Sequence, residues 1–359
     1  MNSTSPILNI QGKKIGGDYP TYFIADIAAN HDGDLERAKD LIHLAAEAGA
    51  DAAKFQHFKA ETIVSDLGFK TLGGQQSHQA SWKKSVFEVY KDASVNLDWT
   101  PTLKETCDKA GIAFFTSPYS IDIVEQIDPY VPAYKIGSGD ITWIEMVEHI
   151  ASKRKPYIIA SGASSTDDVI RAVSAGLKIN PMLCLMQCNT NYTASLENFK
   201  FIQLNVLRVY RQMFPDLVLG LSDHTPGLAT VLGAVSLGAR MIEKHFTDDI
   251  GRKGPDHKFS MHYASWRDMV DRTRELENAL GSGIKRVEDN EKDTVVIQRR
   301  AIRAATNLTV GTILKPEHME VLRPCPHDGL PPYYMNELIG KRVRHLINAG
   351  EHLRWLNIE

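Results

Sequence analysis

Short apolar runs that alternate with amphipathic helical stretches constrain the fold of this chain more than any other feature. The apolar runs cover residues 22–27, 52–56, 113–117, 133–136, 157–160, 182–187, 217–222 and 241–245. The helical stretches cover residues 35–48, 102–110, 121–127, 143–151, 166–175, 199–214, 228–237 and 263–280. Strands that are apolar on both faces are typical of a parallel sheet covered by helices. Eight strand–helix pairs predict an α/β fold, a (β/α)8 TIM barrel, although a doubly wound open sheet has a similar pattern.

Two histidines stand at the ends of the last two predicted strands. Ser222-Asp223-His224-Thr225 ends one strand and Glu243-Lys244-His245-Phe246 ends the other, with the helical stretch 228–237 between them. Catalytic groups collect at this end of parallel strands, and neutral imidazole is a ligand for Zn, Mn or Fe. A single histidine in such a place is more often an unrelated polar residue. Two in register, each with an acidic residue close before it, favour a site that holds a divalent metal.

The size and charge of the chain exclude several classes of protein. Its 359 residues fit one barrel of about 250 residues with a small appendage. The 41 basic and 44 acidic residues give a net charge of −3, which argues against nucleic acid or an anionic membrane as partner. Residues 1–11 lack an apolar signal core, no apolar run approaches about 20 residues, and four cysteines are too few for a disulfide scaffold. The sequence therefore predicts a cytoplasmic protein.

The composition changes after residue 280. Residues 281–294 are polar and charged, and the remainder contains short β-like runs at 300–304, 311–314, 318–322, 343–346 and 351–355. We therefore predict a barrel domain over residues 1–283, a linker over 284–294 and a small, mostly β domain over 295–359. Because roughly 60 residues bury little core, we expect this small domain to lean on another surface.

Two local features add detail to the barrel. The connection 57–98 is unusually long and contains Gly73-Gly74-Gln75-Gln76, which predicts a lid or wall of a site. The segment Thr166-Asp167-Asp168-Val169 predicts a helix start that the Thr166 hydroxyl caps.

Lysines and serines stand at other predicted strand ends. Lys54 and Lys135 end the second and fourth predicted strands in apolar surroundings, where an unpaired ammonium is costly unless its tip reaches solvent. Hydroxyl groups stand at further strand ends, at Ser117, Ser138, Ser161 and Ser222. Each serine taken singly is a strand-end cap, but the set of four favours a shared site.

Several of these blocks resemble the sialic acid synthase family. They are the two histidine blocks together with Phe23 to Asp34, Asp51 to Gln56, Tyr134 to Asp140 and Gly254-Pro255-Asp256-His257-Lys258. The tail, with Val321-Leu322-Arg323-Pro324 and Leu338-Ile339-Gly340-Lys341, resembles the C-terminal antifreeze-like (SAF) domain of that family. The resemblance covers nearly the whole chain.

The resemblance implies an activity and an assembly. The activity is condensation of phosphoenolpyruvate with an N-acetylmannosamine-type sugar, which yields a nine-carbon 2-keto acid and phosphate. The assembly is a domain-swapped homodimer in which the small domain of one subunit covers the barrel mouth of the other. His224 and His245 are then the ligands of a divalent metal, with Mn²⁺ expected and Mg²⁺ or Co²⁺ as options.

The resemblance also assigns substrate contacts. Lys54 and Lys135 hold the phosphate and carboxylate of phosphoenolpyruvate, aided by hydroxyl donors at Ser138, Ser161 and Ser222 and by the similarly placed Ser117. The acceptor sugar contacts Gln56, Thr190, Tyr192 and Asp256, and Arg323 of the swapped domain reaches its N-acyl carbonyl. Without the resemblance, Asp256 is equally well explained as a helix cap, and Arg323 is explained as a solvated surface arginine.

The sequence departs from the family pattern near the predicted sugar pocket. Asp26 stands where the family commonly has glutamate, which is proposed to handle a proton or to position the attacking water. Aspartate keeps the carboxylate but shortens its reach by one methylene, about 1.5 Å. Residues 187–193 lack the histidine and Tyr-Pro pair that relatives often have. Both changes leave the identity of the acceptor sugar open.

Three functions remain in competition. The first is a nonulosonic acid synthase that uses N-acetylmannosamine or a deoxy diacetamido sugar, the precursor type of legionaminic or pseudaminic acid. The second is a 3-deoxy-keto-acid synthase or aldolase for a sugar phosphate, which should supply an arginine cluster that is not evident. The third is a sugar-binding barrel that lost activity at Asp26. Retention of both histidines and both lysines favours the first.

Overall fold

The computed structural model describes residues 5–72, 79 and 82–359 of the chain. The chain divides into two compact units, Met1–Gly281 and Ser282–Glu359. The glycine-containing segment 73–76, predicted as part of a lid or wall, lies outside the described residues. None of the described helices is long and apolar enough to cross a membrane.

The first unit begins with an antiparallel hairpin and continues as a barrel. The hairpin pairs β1 (Ile7–Ile10) with β2 (Lys13–Gly16). The described barrel strands are β3 (Tyr22–Asp26), β4 (Ala52–His57), β5 (Ala113–Pro118), β6 (Tyr134–Ile136), β7 (Tyr157–Ala160), β8 (Leu183–Cys188), β9 (Val218–Asp223) and β10 (Met241–His245).

The order of these strands confirms the barrel. Strand β10 pairs in parallel with β9 and also with β3, so the last strand of the barrel lies beside the first. The hydrogen-bonded order is β5-β4-β3-β10-β9-β8-β7-β6 in the part of the chain described. Strands β5 and β6 come within 8 Å of each other at the seam. The sheet is therefore a nearly closed TIM-like barrel rather than a doubly wound open sheet, in which the first and last strands are not paired.

Helices connect the barrel strands, and most of them cover the outside of the barrel. They are α1 (Leu35–Glu47), α2 (Ala60–Ile63), α3 (Asp66–Thr71), α4 (Val86–Ala93), α5 (Thr100–Ala110), α6 (Ile121–Ile127), α7 (Ile144–Ser152), α8 (Thr166–Leu177), α9 (Val206–Met213), α10 (Ala229–Ser236) and α11 (Tyr263–Leu280). Helix α1 illustrates why: it buries Ala38, Leu41, Ile42 and Ala45, which form one apolar stripe at helical spacing.

Two local predictions are wrong. The single helix predicted over 199–214 is a 3-10 helix, Leu196–Phe201, followed by the separate helix α9. Gln203 between them has a positive φ of 53°, which continuous α-helix does not allow. The cap of α8 is Ser165 rather than Thr166. The Ser165 hydroxyl accepts the Asp168 N–H, and the Asp168 carboxylate accepts the Ser165 N–H in return.

The barrel interior is apolar at one end and polar at the other. The hairpin residues Leu8, Ile10 and Ile15 join inward-facing barrel residues in a buried cluster. Because side chains alternate along a strand, Ile24 of this cluster is followed on the same face by Asp26. The ladders align Asp26 with Lys54 of β4 on one side and with His245 of β10 on the other. Register alone therefore brings three predicted site residues together.

The second unit is small and has its own core. It contains α12 (Lys292–Gln298), β11 (Ala301–Ala304), β12 (Met319–Leu322) and α13 (Met335–Leu338). Strands β11 and β12 are antiparallel, whereas the predicted β-like runs at 311–314, 343–346 and 351–355 form isolated bridges. Buried apolar residues such as Ile302, Leu314 and Val343 form the core. Helix α12 begins inside the predicted linker 284–294; the predicted domain boundaries stay predictions.

Candidate active site

The C-terminal ends of the barrel strands open into a cavity of about 510 Å³. Its lining includes most of the residues predicted from the sequence: Asp26, Lys54, Gln56, Ser117, Lys135, Ser138, Thr190, Tyr192, Ser222, His224 and His245. A neighbouring pocket of about 140 Å³ shares Gln56, Tyr192 and His245 with this cavity and adds Asp256. The structure therefore gathers both histidines and both lysines at one end of the barrel.

Asp26 is the centre of a buried polar cluster. Lys54 Nζ donates to Asp26 Oδ2 over 2.6 Å, and Gln56 Nε2 donates to the same oxygen over 3.3 Å. His245 Nε2 lies 3.6 Å from Asp26 Oδ2. Burial raises the pKa of Asp26, which Lys54 opposes. Burial lowers the pKa of Lys54, but the carboxylates of Asp26 and Glu243 outweigh burial and raise it. Lys54 therefore carries a positive charge that faces the cavity.

Lys135 has a second carboxylate as partner. Its Nζ lies 3.4 Å from Glu243 Oε1, and the Ser222 hydroxyl donates to the same oxygen over 3.2 Å. Burial raises the pKa of Glu243, but Lys135 and Lys54 outweigh burial and lower it. Glu243 Oε2 is buried and has no hydrogen-bond partner among the described residues. Glu243 has no assigned role in the sequence prediction, although its two-residue spacing from His245 on β10 places both on the inner face.

The two histidines fit a shared metal ion. Their ring centroids are 5.3 Å apart. His224 Nδ1 donates to the Asn189 carbonyl over 3.0 Å, which makes Nε2 the nitrogen that could bind an ion. Burial lowers the pKa of His224, but its contacts with Cys188 and the Asn189 carbonyl outweigh burial and raise it. His245 Nδ1 is buried and has no partner in the described part of the chain. Burial lowers the pKa of His245 well below its ordinary value and so keeps the imidazole neutral, the form that binds a metal.

The acidic residue before His224 does not belong to the site. Asp223 forms a fully buried ion pair with Lys244, and it also accepts hydrogen bonds from the hydroxyls of Thr225 and Thr230. Neither member of the pair lines the cavity. No group of three His, Cys, Asp or Glu able to hold a metal occurs among the described residues. Two imidazoles alone leave the other positions of an ion to water or substrate oxygens.

The four predicted serines separate into two groups. Ser117, Ser138 and Ser222 line the cavity, and the Ser138 hydroxyl also accepts the Gly162 N–H over 3.0 Å. The structure does not bring Ser161 into the cavity lining. Its hydroxyl donates to the Met186 carbonyl and accepts from Tyr210, both inside the protein.

Of the residues predicted to contact the sugar, Gln56, Tyr192 and Asp256 line the neighbouring pocket, and Thr190 lines the cavity. The Tyr192 ring packs edge-on against the His224 ring at 4.3 Å, and Thr190 lines the wall beside it. Asp256 Oδ2 accepts the Ala29 N–H over 3.1 Å, and burial raises the pKa of Asp256 to about 6. Arg323 belongs to the second unit, and its contact with the sugar stays a prediction.

Comparison with known proteins identifies the family. The model of the NeuB family matches residues 41–285, and that of the SAF domain matches residues 299–359. The chain belongs to the NeuB family. It is 34% identical over 355 residues to the N,N'-diacetyllegionaminic acid synthase of Legionella pneumophila, with 97% of each chain covered. It is 32% identical to the N-acetylneuraminate-9-phosphate synthase of Homo sapiens, over 92% of this chain and 91% of the relative.

A solved structure supports the same fold. It is the N-acetylneuraminic acid (sialic acid) synthetase of Leptospira borgpetersenii in complex with citrate. The two chains superpose with a TM-score of 0.70 at 27% identity, over 82% of this chain and 97% of the other. The predicted resemblance to sialic acid synthases with a C-terminal SAF domain is therefore confirmed.

The cavity of this NeuB-family chain also contains residues that the sequence prediction missed. Tyr90, Tyr119, Asp140 and Glu243 line it. Burial raises the pKa of Asp140 to about 6, against the opposing charge of Lys135. Tyr90 lies in the long connection that was predicted as a wall, and this prediction is confirmed. Asp140 is the last residue of the block Tyr134 to Asp140, in which Lys135 and Ser138 were predicted to bind substrate. Its position two residues after Ser138 was the sequence signal that could have identified it.

Proposed function

We propose that this protein is a nonulosonic acid synthase that condenses phosphoenolpyruvate with an N-acylated mannosamine-type sugar and releases phosphate. One observation supports the proposal above all: two ammonium groups and two imidazoles converge on a single cavity at the strand ends. Ammonium groups suit a phosphate and a carboxylate, and paired neutral imidazoles suit a divalent ion. These are the groups that a reaction between a trianionic enolpyruvate and an aldehyde requires.

Lys54 and Lys135 bind the anionic groups of phosphoenolpyruvate in this proposal. Each ammonium is buried and paired with one carboxylate, Asp26 or Glu243. A buried charge that keeps a partner in the free enzyme avoids the large cost of an isolated ion. The incoming phosphate and carboxylate then add to an existing set of charges, with hydroxyl donors supplied by Ser117, Ser138 and Ser222.

His224 and His245 hold the divalent ion, with Mn²⁺ expected and Mg²⁺ or Co²⁺ as options. When bound, the ion supplies Lewis-acid polarisation of the sugar carbonyl. The reaction forms a bond between C3 of phosphoenolpyruvate and C1 of the open-chain sugar. Water then adds to C2, and the bond from C2 to the phosphate oxygen breaks. Asp26 is within reach of this centre and accepts or positions the proton of the attacking water.

The acceptor sugar extends from the cavity, near Thr190, into the neighbouring pocket lined by Gln56, Tyr192 and Asp256. A carboxylate and an amide provide hydrogen-bond partners for sugar hydroxyls, and the Tyr192 ring provides an apolar face. We further propose that Arg323 contacts the N-acyl carbonyl from the partner in a domain-swapped homodimer, and that the enzyme acts in the cytoplasm.

The test is phosphate release from phosphoenolpyruvate in the presence of Mn²⁺ and a panel of acceptors. The panel contains N-acetylmannosamine, its 6-phosphate and di-N-acetylated deoxy hexoses. The proposal expects turnover with at least one hexosamine and none without an acceptor. Turnover only with a sugar phosphate that lacks the N-acyl group would favour a 3-deoxy-keto-acid synthase. Acceptor binding without any phosphate release would favour the sugar-binding barrel.

A further inference from the structure

The loop that follows β10 carries Asp256 but has little regular structure of its own. Between Gly254 and Ser260 it contains a short 3-10 helix, His257–Phe259. The Asp256 side chain does not cap this helix, which removes the alternative considered from the sequence. A loop of this kind needs contacts with other elements to hold a buried carboxylate in one position.

We infer that His257 is the positioning residue that holds Asp256 in place for the acceptor sugar, an inference that rests on the proposed function. The His257 side chain is fully buried. Its Nε2 lies 2.9 Å from Asp32 Oδ1, and its Nδ1 lies 2.8 Å from Thr247 Oγ1. Because an ionised carboxylate only accepts hydrogen bonds, Nε2 is the donor to Asp32. His257 thus joins the Asp256 loop to the loop after β3 and to the end of β10.

Gly254 explains how the ring fits. A Cβ atom at this position would lie 2.6 Å from His257 Cδ2 and 3.3 Å from Asp32 Oδ1. Any side chain at residue 254 would therefore push the His257 ring away from its hydrogen bond with Asp32. This packing explains why glycine stands three residues before His257 in the motif Gly254-Pro255-Asp256-His257.

Further hydrogen bonds tie the same two loops together beside Asp256. Asn30 Nδ2 donates to Ser260 Oγ over 2.9 Å, and Ser260 Oγ donates to the Asp256 carbonyl over 2.7 Å. Arg37 Nε lies 3.1 Å from Asp32 Oδ2. This ion pair holds the Asp32 carboxylate that accepts the hydrogen bond from His257. Asp256 is therefore held between cross-links on both sides, and the next residue, His257, forms one of them.

Loss of the His257 side chain should weaken the binding of the acceptor sugar and leave the binding of phosphoenolpyruvate unchanged. His257 is absent from the described residues that line either pocket, so it does not contact the substrates. The groups proposed for phosphoenolpyruvate, such as Lys54 and Lys135, stand on β4 and β6 and make no hydrogen bond to the Asp256 loop among the bonds described. Loosening this loop should weaken the sugar contact and leave the phosphoenolpyruvate contacts in place.

Steady-state kinetics of the full-length enzyme test this inference, with Mn²⁺, phosphoenolpyruvate and an acceptor that the wild type converts. His257→Ala should raise the KM for the acceptor by about tenfold or more and leave the KM for phosphoenolpyruvate within about twofold. His257→Gln, which keeps an N–H donor near Nε2, should recover part of the loss. The matched control is Val147→Ala in the core of α7, which should lower stability without changing either KM.

A second pair of variants decides the matter if His257→Ala fails to fold. Asp32 is partly exposed and has a positive φ of 53°, which glycine and asparagine adopt readily. Asp32→Gly removes the hydrogen-bond acceptor of His257 and should raise the KM for the acceptor sugar. Asp32→Asn keeps a side-chain oxygen that accepts this hydrogen bond, so its KM for the sugar should stay near the wild-type value. Unchanged KM values, or an equal rise in both, would overturn the inference. A wild type that releases no phosphate with any sugar would instead defeat the proposed function.

Discussion

Lys54 and Asp26 form a buried ion pair with a 2.6 Å contact, and they stand opposite each other on the paired strands β3 and β4. Both side chains are almost completely buried, with 2% and 3% of their surface exposed. The pair therefore links the stability of the barrel to the chemistry of its mouth. Removal of either partner leaves a mostly buried charge without its counter-ion.

We expect Lys54→Met to destabilise the protein by about 3–5 kcal/mol at neutral pH, because it leaves the Asp26 carboxylate buried without its counter-ion. Urea denaturation measures the change. The double variant Lys54→Met/Asp26→Asn should recover most of the loss. The control is Lys104→Met, which breaks a surface pair with Asp108 and should cost less than about 1 kcal/mol. Equal losses for the two lysines would contradict this account.

Lys135→Ala should raise the KM for phosphoenolpyruvate and lower kcat/KM by roughly 100-fold or more, because it removes one of the two ammonium groups that face the cavity. The KM for the acceptor sugar should change much less. Initial rates with one substrate varied at a time separate the two constants. Lys153→Ala, which removes a lysine paired with Glu125 on the outside of the barrel, is the control and should leave both constants unchanged.

His245→Ala should abolish metal-dependent turnover while the protein stays folded. The reason is that a single remaining imidazole, His224, holds a divalent ion much more weakly than a pair. Calorimetric titration with Mn²⁺ should detect binding to the wild type and none to the variant. His149→Ala, which changes an outer histidine paired with Glu125, should bind the ion as the wild type does. Unchanged activity of His245→Ala would remove this residue from the metal site.

His57 should make the stability of the protein depend on pH. Its ring is buried and hydrogen-bonded to Thr116 and Thr100, and burial lowers its pKa from 6.5 to about 4. Because the folded state resists protonation, the stabilising contribution is full above pH 6.5 and is lost as the pH falls towards 4. The total is roughly 3 kcal/mol.

Urea denaturation at several pH values between 7.5 and 4 measures this contribution. This interval spans the ordinary pKa of histidine and the lowered pKa of His57 in the folded protein. The free energy of unfolding should fall more steeply for the wild type than for His57→Gln. His31, whose pKa burial also lowers to about 4, is present in both proteins, so the difference between the two curves reports on His57. Parallel curves for wild type and variant would contradict the assignment to His57.

A mixture of two inactive variants tests the proposed domain swap. In a swapped dimer, a subunit with His245→Ala can lend its intact Arg323 to the barrel of a subunit with Arg323→Ala. Refolding or co-expressing the two variants in equal amounts should then restore up to about a quarter of wild-type activity, because half of the dimers are mixed and one of their two sites is complete. Each variant alone should stay far below this value. No recovery would indicate that Arg323 acts within its own subunit or not at all.

The sequence alone determined the elements of the barrel and which polar side chains stand near its strand ends. Apolar runs and helical spacing predicted the barrel strands to within a residue or two, because these periodicities are local properties of strands and helices. The ends of the predicted strands then placed Lys54, Lys135, His224 and His245 at the edge where catalytic groups collect. The break at Gln203 and the cap at Ser165 were missed, because backbone dihedrals and competing hydroxyl donors leave little trace in such patterns.

Only the tertiary structure decided which charged groups pair with which. Asp223 and Glu243 looked alike in sequence, yet Asp223 pairs with Lys244 outside the cavity and Glu243 pairs with Lys135 inside it. Likewise, four serines stood at similar strand ends, and Ser161 alone among them turned away from the cavity. These outcomes depend on strand register and closure between residues far apart in the chain. Such relationships are fixed by the packing of the whole barrel and not by any local pattern.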